Sequence, residues 1–510
     1  MSSIKRTAII ITIITIGSKF LGFIREVILA YFFGTSYIVD SYFMAFTIPS
    51  MIFGWINMVG VSYTPVYIGI KEKIGEEKSI SLTNNLLTLT ILISIVCVFI
   101  GLIFNKQIVT LAAPGFKGEV YELTVIYLKI SMWSIIFTST TQILMSYLNC
   151  NNEFIKSNIS NLVISVAQMI VIIVSGLFKK ELLIFGILFS NIIQAAILYK
   201  SSKKSGLKYK IELCMSPEVK KIFIVAIPIF ISNMIMQINT FIDKMFASQL
   251  PEGSIAALNY SSNIKQFIFY VFSIAITTII YPILSKYIAE NNIDKVKCIF
   301  SKSLNIMIVL FIPITIGAII LSEPAISFIY ERGEFGYNST VMTTSAFVMY
   351  TIGLLPFALK DVATKVFYSM QDSKSTMYIG IITVALNVIL NMLLVKPLGH
   401  NGLALATSLS SIITLPLFIL LLRKRLGSLG LKHSFILLFK SCIAGFVMGV
   451  IAFYIKDTIS LLFGNSKIFM LLNIFITACI GGLTFFAAMI IMRVEEMKIF
   501  TETIKKLLKK

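Results

Sequence analysis

The sequence predicts an all-α integral membrane protein with about fourteen transmembrane helices, arranged as two pseudo-symmetric six-helix lobes followed by two additional helices. Hydrophobic residues make up 57% of the 510 residues and charged residues only 13%, and the mean hydropathy is +0.89. A soluble protein is far less apolar. Several apolar segments continue for about 20 residues or more without the alternation typical of a β-barrel, so each must satisfy its own backbone groups as a helix.

Apolar segments separated by polar connections define the predicted spans, and each is long enough to cross a hydrocarbon layer of ~30 Å as a helix. They are residues 6–33, 41–70, 82–104, 121–148, 159–178, 181–199, 222–249, 255–284, 303–321, 339–367, 376–395, 402–422, 435–455 and 468–492.

A faint internal duplication predicts the two lobes. Tyr147 begins a polar connection before one span, and Tyr368, 221 residues later, begins a similar one before another. The Gly186 and Gly402 spans are likewise 216 residues apart. We therefore expect an N-lobe over 1–216, a C-lobe over 217–430, and two further helices with a basic cytoplasmic tail over 431–510. Parallel halves of this kind are typical of transporters with a binding site between them.

Positive charges lie mainly in alternate connections. The net charge is +20, and with the N-terminus placed inside, most cations fall in the tails and inner connections. They cluster in residues 5–6, 71–78, 200–221, 286–297, 423–425 and 505–510. This is the positive-inside asymmetry of a multi-pass protein with both termini cytoplasmic, and it argues against a nucleic-acid partner.

Enzyme motifs are missing from the sequence. His400 and His433 are the only histidines and lie in connections, and no nucleotide-binding, G-x-S-x-G or H-E-x-x-H motif is present. The six cysteines are scattered without metal-ligand spacing. We expect no enzymatic activity and no cofactor apart from a coupling or structural ion. Uphill transport would then draw on an ion gradient or the membrane potential.

The first apolar segment carries charges that its length does not explain. Lys19, Arg25 and Glu26 lie within Thr7–Phe33, and Arg25 is ~13 Å of helix rise short of Gly34, too far for easy snorkelling. A cation near the bilayer centre costs about 2.5–3.5 kcal/mol, so such residues generally face a polar ligand, a partner or a watery cavity. The sequence therefore predicts that the protein handles a polar molecule within the membrane.

Short motifs along residues 7–430 resemble the MurJ/MviN flippases of the multidrug and polysaccharide exporter superfamily. They are Ser18-Lys-Phe-Leu-Gly-Phe-Ile-Arg-Glu26, Phe33-Gly34, Asp40, Ala45-Phe-Thr-Ile-Pro49, Pro114-Gly-Phe116, Asn239-Thr-Phe-Ile-Asp243, Ala247-Ser248, Leu250-Pro-Glu-Gly253, Leu258-Asn-Tyr260, Pro282, Glu331-Arg-Gly-Glu-Phe335, Phe367-Tyr368 and Gly402-Leu-Ala-Leu-Ala-Thr-Ser408.

The resemblance implies two lobes around a cationic cavity in the bacterial cytoplasmic membrane. It also implies transport of lipid II, the undecaprenyl-pyrophosphate-linked peptidoglycan precursor, from the inner to the outer leaflet by alternating access. A diphosphate headgroup cannot cross hydrocarbon unaided, whereas the prenyl tail can remain in lipid. We expect a functional monomer whose partners are the membrane, the glycan lipid and cell-wall synthesis proteins.

Carried over by position, the resemblance gives a set of substrate-binding residues. They are Ser18, Lys19, Arg25, Glu26, Asp40, Asn263 and Lys265. Arg25 matches a cavity arginine, whereas the arginines expected in helices two and eight fall at Phe53 and Asn263. Lysine binds phosphate as a point charge and lacks the planar fork of arginine. A different polyprenyl-linked glycan is therefore the alternative cargo, and a structural Lys19–Glu26 pair is the alternative role for the charges of helix one.

A second set of residues matches a sodium site in some members of the family. The set comprises Asp243, Asn387, Asn391, Leu403 and Thr407. Asn387 and Asn391 are four residues apart and share a helix face, and oxygen donors suit hard cations. Hydrogen bonding between helices is the alternative role for these polar residues. Two further classes stay open at this stage, a non-transporting envelope scaffold and, with less support, a membrane glycosyltransferase.

Overall fold

The computed structural model describes residues 2–463 and 466–497, and every regular element in these ranges is a helix. The α-helices are α1 Ser2–Phe33, α2 Tyr37–Lys73, α3 Glu76–Ile103, α4 Asn105–Ala112, α5 Gly118–Met132, α6 Ser134–Cys150, α7 Phe154–Leu177, α8 Phe185–Lys204, α9 Pro217–Ala247, α10 Ser254–Ala289, α11 Ile293–Ile320, α12 Ser322–Tyr330, α13 Tyr337–Thr351, α14 Leu354–Ser369, α15 Ser373–Leu398, α16 His400–Leu426, α17 Lys432–Phe463 and α18 Lys467–Ile491. A 3₁₀ turn, Lys180–Leu182, precedes α8. The all-helical prediction is confirmed.

Each predicted span coincides with one helix or with two consecutive helices. Within the described ranges, nine segments are long and apolar enough to cross a membrane, or up to eleven when bent pairs are included. The three other predicted spans correspond to α1, α2 and α9, which contain 32, 37 and 31 residues. The basic tail from residue 498 onward lies outside the described residues.

Two predicted spans are divided into two helices each. Residues 121–148 form α5 and α6, which meet at Trp133, and residues 339–367 form α13 and α14, which are bent by 45°. The short helices α4 and α12 lie in connections where no helix was predicted.

The described residues form two compact units, which we treat separately. The first comprises residues up to 256 together with 332–335, and the second comprises 257–331 and the remainder of the chain. In the first unit α1 packs on α7, and α2 packs on α5, α6 and α9. In the second unit α15 packs on α16, and α17 packs on α11 and α18. The predicted boundaries at residues 216 and 430 stay a prediction.

A tyrosine cluster organises the core of the first unit. The rings of Tyr63 and Tyr67 are 5.2 Å apart, and those of Tyr67 and Tyr147 are 5.8 Å apart. The hydroxyls of Tyr63 and Thr83 are hydrogen-bonded at 2.7 Å, and that of Tyr147 donates to the Ser205 carbonyl at 2.9 Å. The buried phenols therefore have the polar partners that burial requires.

Two glycines of the sequence motifs allow a close backbone approach at the end of α1. Gly34 has a φ of +53°, and a Cβ there would lie 2.4 Å from the Glu334 carbonyl oxygen. Gly253 has a φ of +84°, and a Cβ there would lie 2.3 Å from the Thr35 carbonyl oxygen. The Glu334 amide donates to the Tyr31 carbonyl at 2.9 Å. Three motif segments therefore meet around the end of α1, where glycine is the residue that fits.

Candidate functional site

Arg25 and Glu26 form an ion pair at the centre of a polar cluster in the first unit. The Arg25 Nη2 and Glu26 Oε1 atoms are 2.5 Å apart, and Nη1 donates to Gln168 Oε1 of α7 at 2.6 Å. The Glu26 side chain is 7% exposed, whereas that of Arg25 is 28% exposed. The carboxylate and the amide therefore hold a guanidinium that is still partly exposed.

A second cation of the first unit, Lys244, lies in α9 and contacts α2. The Lys244 Nζ donates to Thr47 Oγ1 at 2.6 Å and to the Phe43 carbonyl at 3.3 Å, and it lies 5.6 Å from the centre of the Phe43 ring. Arg25 and Lys244 each place a positive charge in the first unit, and buried cations of this kind suit an anionic ligand.

Helix packing explains two of these contacts. Arg25 meets Gln168 because α1 packs on α7, and Lys244 meets Thr47 because α2 packs on α9. Sequence reasoning missed Lys244 and Gln168. Lys244 had a signal, because a cation within an apolar helix is the feature that identified Lys19. Gln168 had none, since its partner lies 143 residues earlier in the chain.

Two other residues predicted in α1 are Lys19 and Ser18. Lys19 is exposed on α1, and the Ser18 hydroxyl donates to the Ile14 carbonyl of the preceding turn at 2.9 Å. Arg25 pairs with Glu26 Oε1, and the alternative pairing of Lys19 with Glu26 stays a prediction.

Asp40 has contacts typical of a helix cap. Its Oδ2 accepts from the Gly253 amide at 2.7 Å and its Oδ1 from the Ala256 amide at 2.8 Å, at the start of α10. Asp40 itself is 4% exposed. Both Asp40 oxygens therefore accept hydrogen bonds from amides at the start of α10, which have no partner within the helix. A negative charge at this position also interacts favourably with the dipole of α10. The predicted contact of Asp40 with substrate stays a prediction.

Lys265 and Asn263 belong to α10 in the second unit. The Lys265 Nζ lies 4.6 Å from the centre of the Tyr350 ring and 4.9 Å from that of Phe357. Contacts of an ammonium group with aromatic faces contribute about 0.5–2 kcal/mol each. Asn263 is half-buried, and the side chain of Phe53 is outside what the structure describes.

Four of the five predicted sodium ligands lie together in the second unit. Asn391 Nδ2 donates to Asn387 Oδ1 at 3.0 Å, and Asn387 Nδ2 donates to Thr407 Oγ1 at 3.3 Å. Thr407 Oγ1 lies 3.1 Å from the Leu403 carbonyl oxygen. Asp243 is in the first unit, where its Oδ2 accepts from Asn239 at 3.4 Å. The described residues contain no group of three or more His, Cys, Asp or Glu side chains that could hold a metal.

Known structures share this arrangement of helices. A structure titled "Lipid II flippase MurJ, inward closed conformation" superposes with a TM-score of 0.81 at 24% identity, covering 95% of this chain and 99% of the other. An inward-facing multidrug transporter of the MATE family, in the MOP superfamily, gives 0.71 at 15% identity, covering 81% of this chain and 96% of the other. This chain therefore has the multi-pass, all-helical fold of these structures.

The family model described as "Lipid II flippase MurJ" matches residues 29–475. A protein of Rickettsia prowazekii (strain Madrid E) named "Probable lipid II flippase MurJ" is 31% identical over 414 residues, covering 80% of this chain and 81% of the relative. Its namesake in Buchnera aphidicola subsp. Baizongia pistaciae (strain Bp) is 32% identical over 498 residues, covering 94% and 95%. The chain belongs to the MurJ family, and the resemblance in its motifs is confirmed.

Proposed function

We propose that this protein moves lipid II from the inner to the outer leaflet of the bacterial cytoplasmic membrane by alternating access. The family match over residues 29–475 carries the proposal, and the relatives bear the name of lipid II flippases. That shared name favours lipid II over another polyprenyl-linked glycan. The protein acts as a transporter and performs no covalent chemistry on its cargo.

The Arg25 cluster supports the choice of an anionic cargo. Arg25 presents a planar set of donors to a diphosphate, and its 28% exposure leaves it within reach of a ligand. The ion pair and Gln168 orient the guanidinium before the headgroup arrives, which lowers the entropy lost on binding. The prenyl tail stays in lipid while the headgroup crosses. The driving force is an ion gradient or the membrane potential, which supplies about 2.3 kcal/mol per charge per 100 mV.

Growth of a MurJ-depleted bacterium tests this proposal. The wild-type gene should restore growth, and Arg25→Ala should fail to do so although the protein reaches the membrane. The control Arg423→Ala changes an exposed arginine of α16 and should restore growth fully. Failure of the wild-type gene, or full growth with Arg25→Ala, would contradict the proposed role.

We further propose that the protein binds Na⁺ through oxygens of Asn387, Asn391, Leu403 and Thr407. Amide, hydroxyl and carbonyl oxygens are the donors that hard cations prefer, and here they belong to one chain of neighbouring polar groups. The participation of Asp243 is carried over from the resemblance alone.

Thermal unfolding in NaCl against KCl tests the sodium proposal. Sodium should raise the melting temperature of the wild type, and Asn387→Leu and Asp243→Asn should abolish the increase. Asn473→Leu is the matched control, since Asn473 is a buried asparagine that bonds the Lys456 carbonyl of α17. It should lower stability yet keep the sodium effect. Equal melting temperatures of the wild type in the two salts would refute the site.

We also propose that both termini face the cytoplasm and that the protein works as a monomer near cell-wall synthesis proteins. The cation-rich connection 200–221 supports this orientation through the positive-inside asymmetry. Labelling of Cys214, which is exposed in that connection, by a membrane-impermeant maleimide tests it. Cys214 should be labelled only in permeabilised cells. Labelling of Cys214 in intact cells would show that this connection faces outward and would contradict the proposed orientation.

A further inference from the structure

We propose that the connection between α8 and α9 is a lipid-binding surface, which inserts into the inner leaflet of the membrane. Residues 208–215, which we call the strap, place Ile211, Leu213 and Met215 beside the acyl chains just below the headgroups. Lysines on and around the strap bind the phosphates of anionic phospholipids. The choice of the inner leaflet rests on the proposed cytoplasmic orientation, whereas the insertion itself does not depend on it.

The strap is fixed to α3 along one side. The Glu212 carboxylate accepts from the Ser81 hydroxyl at 2.5 Å and from the Asn84 side-chain amide at 3.2 Å. The Cys214 backbone amide donates to the Asn85 side chain at 2.7 Å. The three polar residues of α3 are spaced by three and four positions and therefore share one face of the helix. These bonds give the strap a defined inner side and a defined outer side.

Large apolar side chains occupy the outer side of the strap. Ile211, Leu213 and Met215 are 82%, 64% and 64% exposed. They alternate with Glu212 and Cys214, which bond to α3, and this alternation is typical of an extended chain, in which successive side chains point to opposite sides. Neighbouring exposed apolar side chains of this size mark an interaction surface.

Helix α3 shows the depth at which the strap lies. Its residues 79–103 carry no charge, and Asn84 lies ~29 Å of helix rise before Ile103. The hydrocarbon layer is ~30 Å thick, so a membrane-spanning α3 brings Asn84 and Asn85 to the boundary between hydrocarbon and headgroups. The strap bonds to both of these residues. Its apolar side chains therefore lie at the level where acyl chains begin.

The charges of the connection favour an anionic lipid as the partner. All seven lysines of residues 200–221 are exposed, and two of them, Lys208 and Lys210, belong to the strap. Glu212, the only acidic residue of the connection 205–216, bonds to α3. Exposed lysines beside exposed apolar side chains are typical of segments that lie in the membrane interface and bind anionic headgroups. A cytoplasmic protein is the alternative partner.

Fluorescence quenching in vesicles tests the insertion. A nitrobenzoxadiazole probe is attached to Leu213→Cys in a variant whose six native cysteines are replaced by serine, and the protein is reconstituted in phosphatidylethanolamine and phosphatidylglycerol. Lipids with a doxyl group near the headgroup should quench this probe at least about twofold more strongly than they quench the control. The control is Glu77→Cys, in the exposed first turn of α3, where aqueous iodide should quench the probe instead. Ile211→Cys is the second test position and should behave as Leu213→Cys does.

A second arm tests the charge. Replacing phosphatidylglycerol by phosphatidylcholine should reduce doxyl quenching at position 213 by at least about twofold, and the double variant Lys208→Gln/Lys210→Gln should do the same in the original vesicles. The control Lys424→Gln changes an exposed lysine of α16 and should leave the quenching unchanged.

Three results would overturn the proposal. Iodide quenching at positions 211 and 213 that equals the quenching at position 77 would place the strap in water. Equal doxyl quenching in vesicles without anionic lipid would refute the assignment to anionic lipid. Protection from iodide only after a cytosolic protein fraction is added would make the partner a protein. Because doxyl lipids are present in both leaflets, a reversed orientation would leave this test unaffected and would appear in the labelling of Cys214 instead.

Discussion

The Arg25–Glu26 ion pair should contribute strongly to stability, and a double-mutant cycle measures how much. Arg25→Met leaves the 7%-exposed Glu26 side chain without its main partner and should destabilise the protein by about 3–5 kcal/mol. Glu26→Gln should cost less, about 1.5–3 kcal/mol, because Arg25 is more exposed and keeps Gln168. Once Arg25 is gone, replacing Glu26 should be nearly neutral, so the double variant should resemble Arg25→Met. The double variant should therefore be more stable than the sum of the singles by about 1.5–3 kcal/mol.

The assay is the free energy of unfolding in mixed detergent micelles for the wild type, both single variants and the double variant. The Glu153–Lys156 pair is the control, since its atoms are 2.6 Å apart but its side chains are 36% and 41% exposed. Exposed pairs contribute about 0–1 kcal/mol, so Lys156→Met should have a small effect. If the two central substitutions are additive within about 0.5 kcal/mol, the residues are not coupled and the reasoning is refuted.

Three further predictions address the supports of the fold. Gly34→Ala should destabilise the protein by about 1–3 kcal/mol, because φ is +53° and the new Cβ would meet the Glu334 carbonyl. Gly22→Ala is the control, because Gly22 has open space around it, and it should be neutral or slightly stabilising. Equal melting temperatures of the two variants would contradict this prediction. Asp40→Ala should lower the free energy of unfolding by about 2 kcal/mol, because the cap of α10 is lost, and should leave the affinity for lipid unchanged. A loss of affinity without a loss of stability would instead indicate that Asp40 binds the substrate. Although burial opposes it, hydrogen bonds from Ser375 and the Arg425 guanidinium lower the pKa of Asp372. Its ionised form therefore stabilises the protein above about pH 4, the pKa of an unfolded aspartate, and that contribution is lost as the pH falls through the lowered pKa. Asp372→Asn should flatten the acid limb of the stability profile, and an unchanged profile would count against the interaction.

Long apolar segments allow the membrane helices to be predicted from the sequence, but the breaks within these helices could not be predicted. The bend between α13 and α14 falls at Ile352 and Gly353, within residues 346–359, which carry no charge. Hydropathy measures the affinity of a segment for lipid and is insensitive to a local change of direction. The helix α4 was missed for the opposite reason, because its eight residues are too few to span a bilayer.

The candidate site could be predicted only in part, because its charges pair across the fold. Arg25 was identified by its depth in an apolar helix, and in the structure Glu26 and Gln168 hold its guanidinium. Its partners were not predictable in the same way. Adjacent residues on a helix point about 100° apart, so the pairing of Arg25 with Glu26 depends on side-chain reach. Gln168 and Lys244 come from other helices, whose packing one sequence does not reveal.

Native mass spectrometry of the purified protein with its co-extracted lipids identifies the lipid that Arg25 binds. Lipid II should be bound to the wild type and depleted from Arg25→Ala, while Arg423→Ala should retain it. A different glycan lipid in the wild type, or equal retention of lipid II by Arg25→Ala, would contradict the claim that this arginine binds the headgroup.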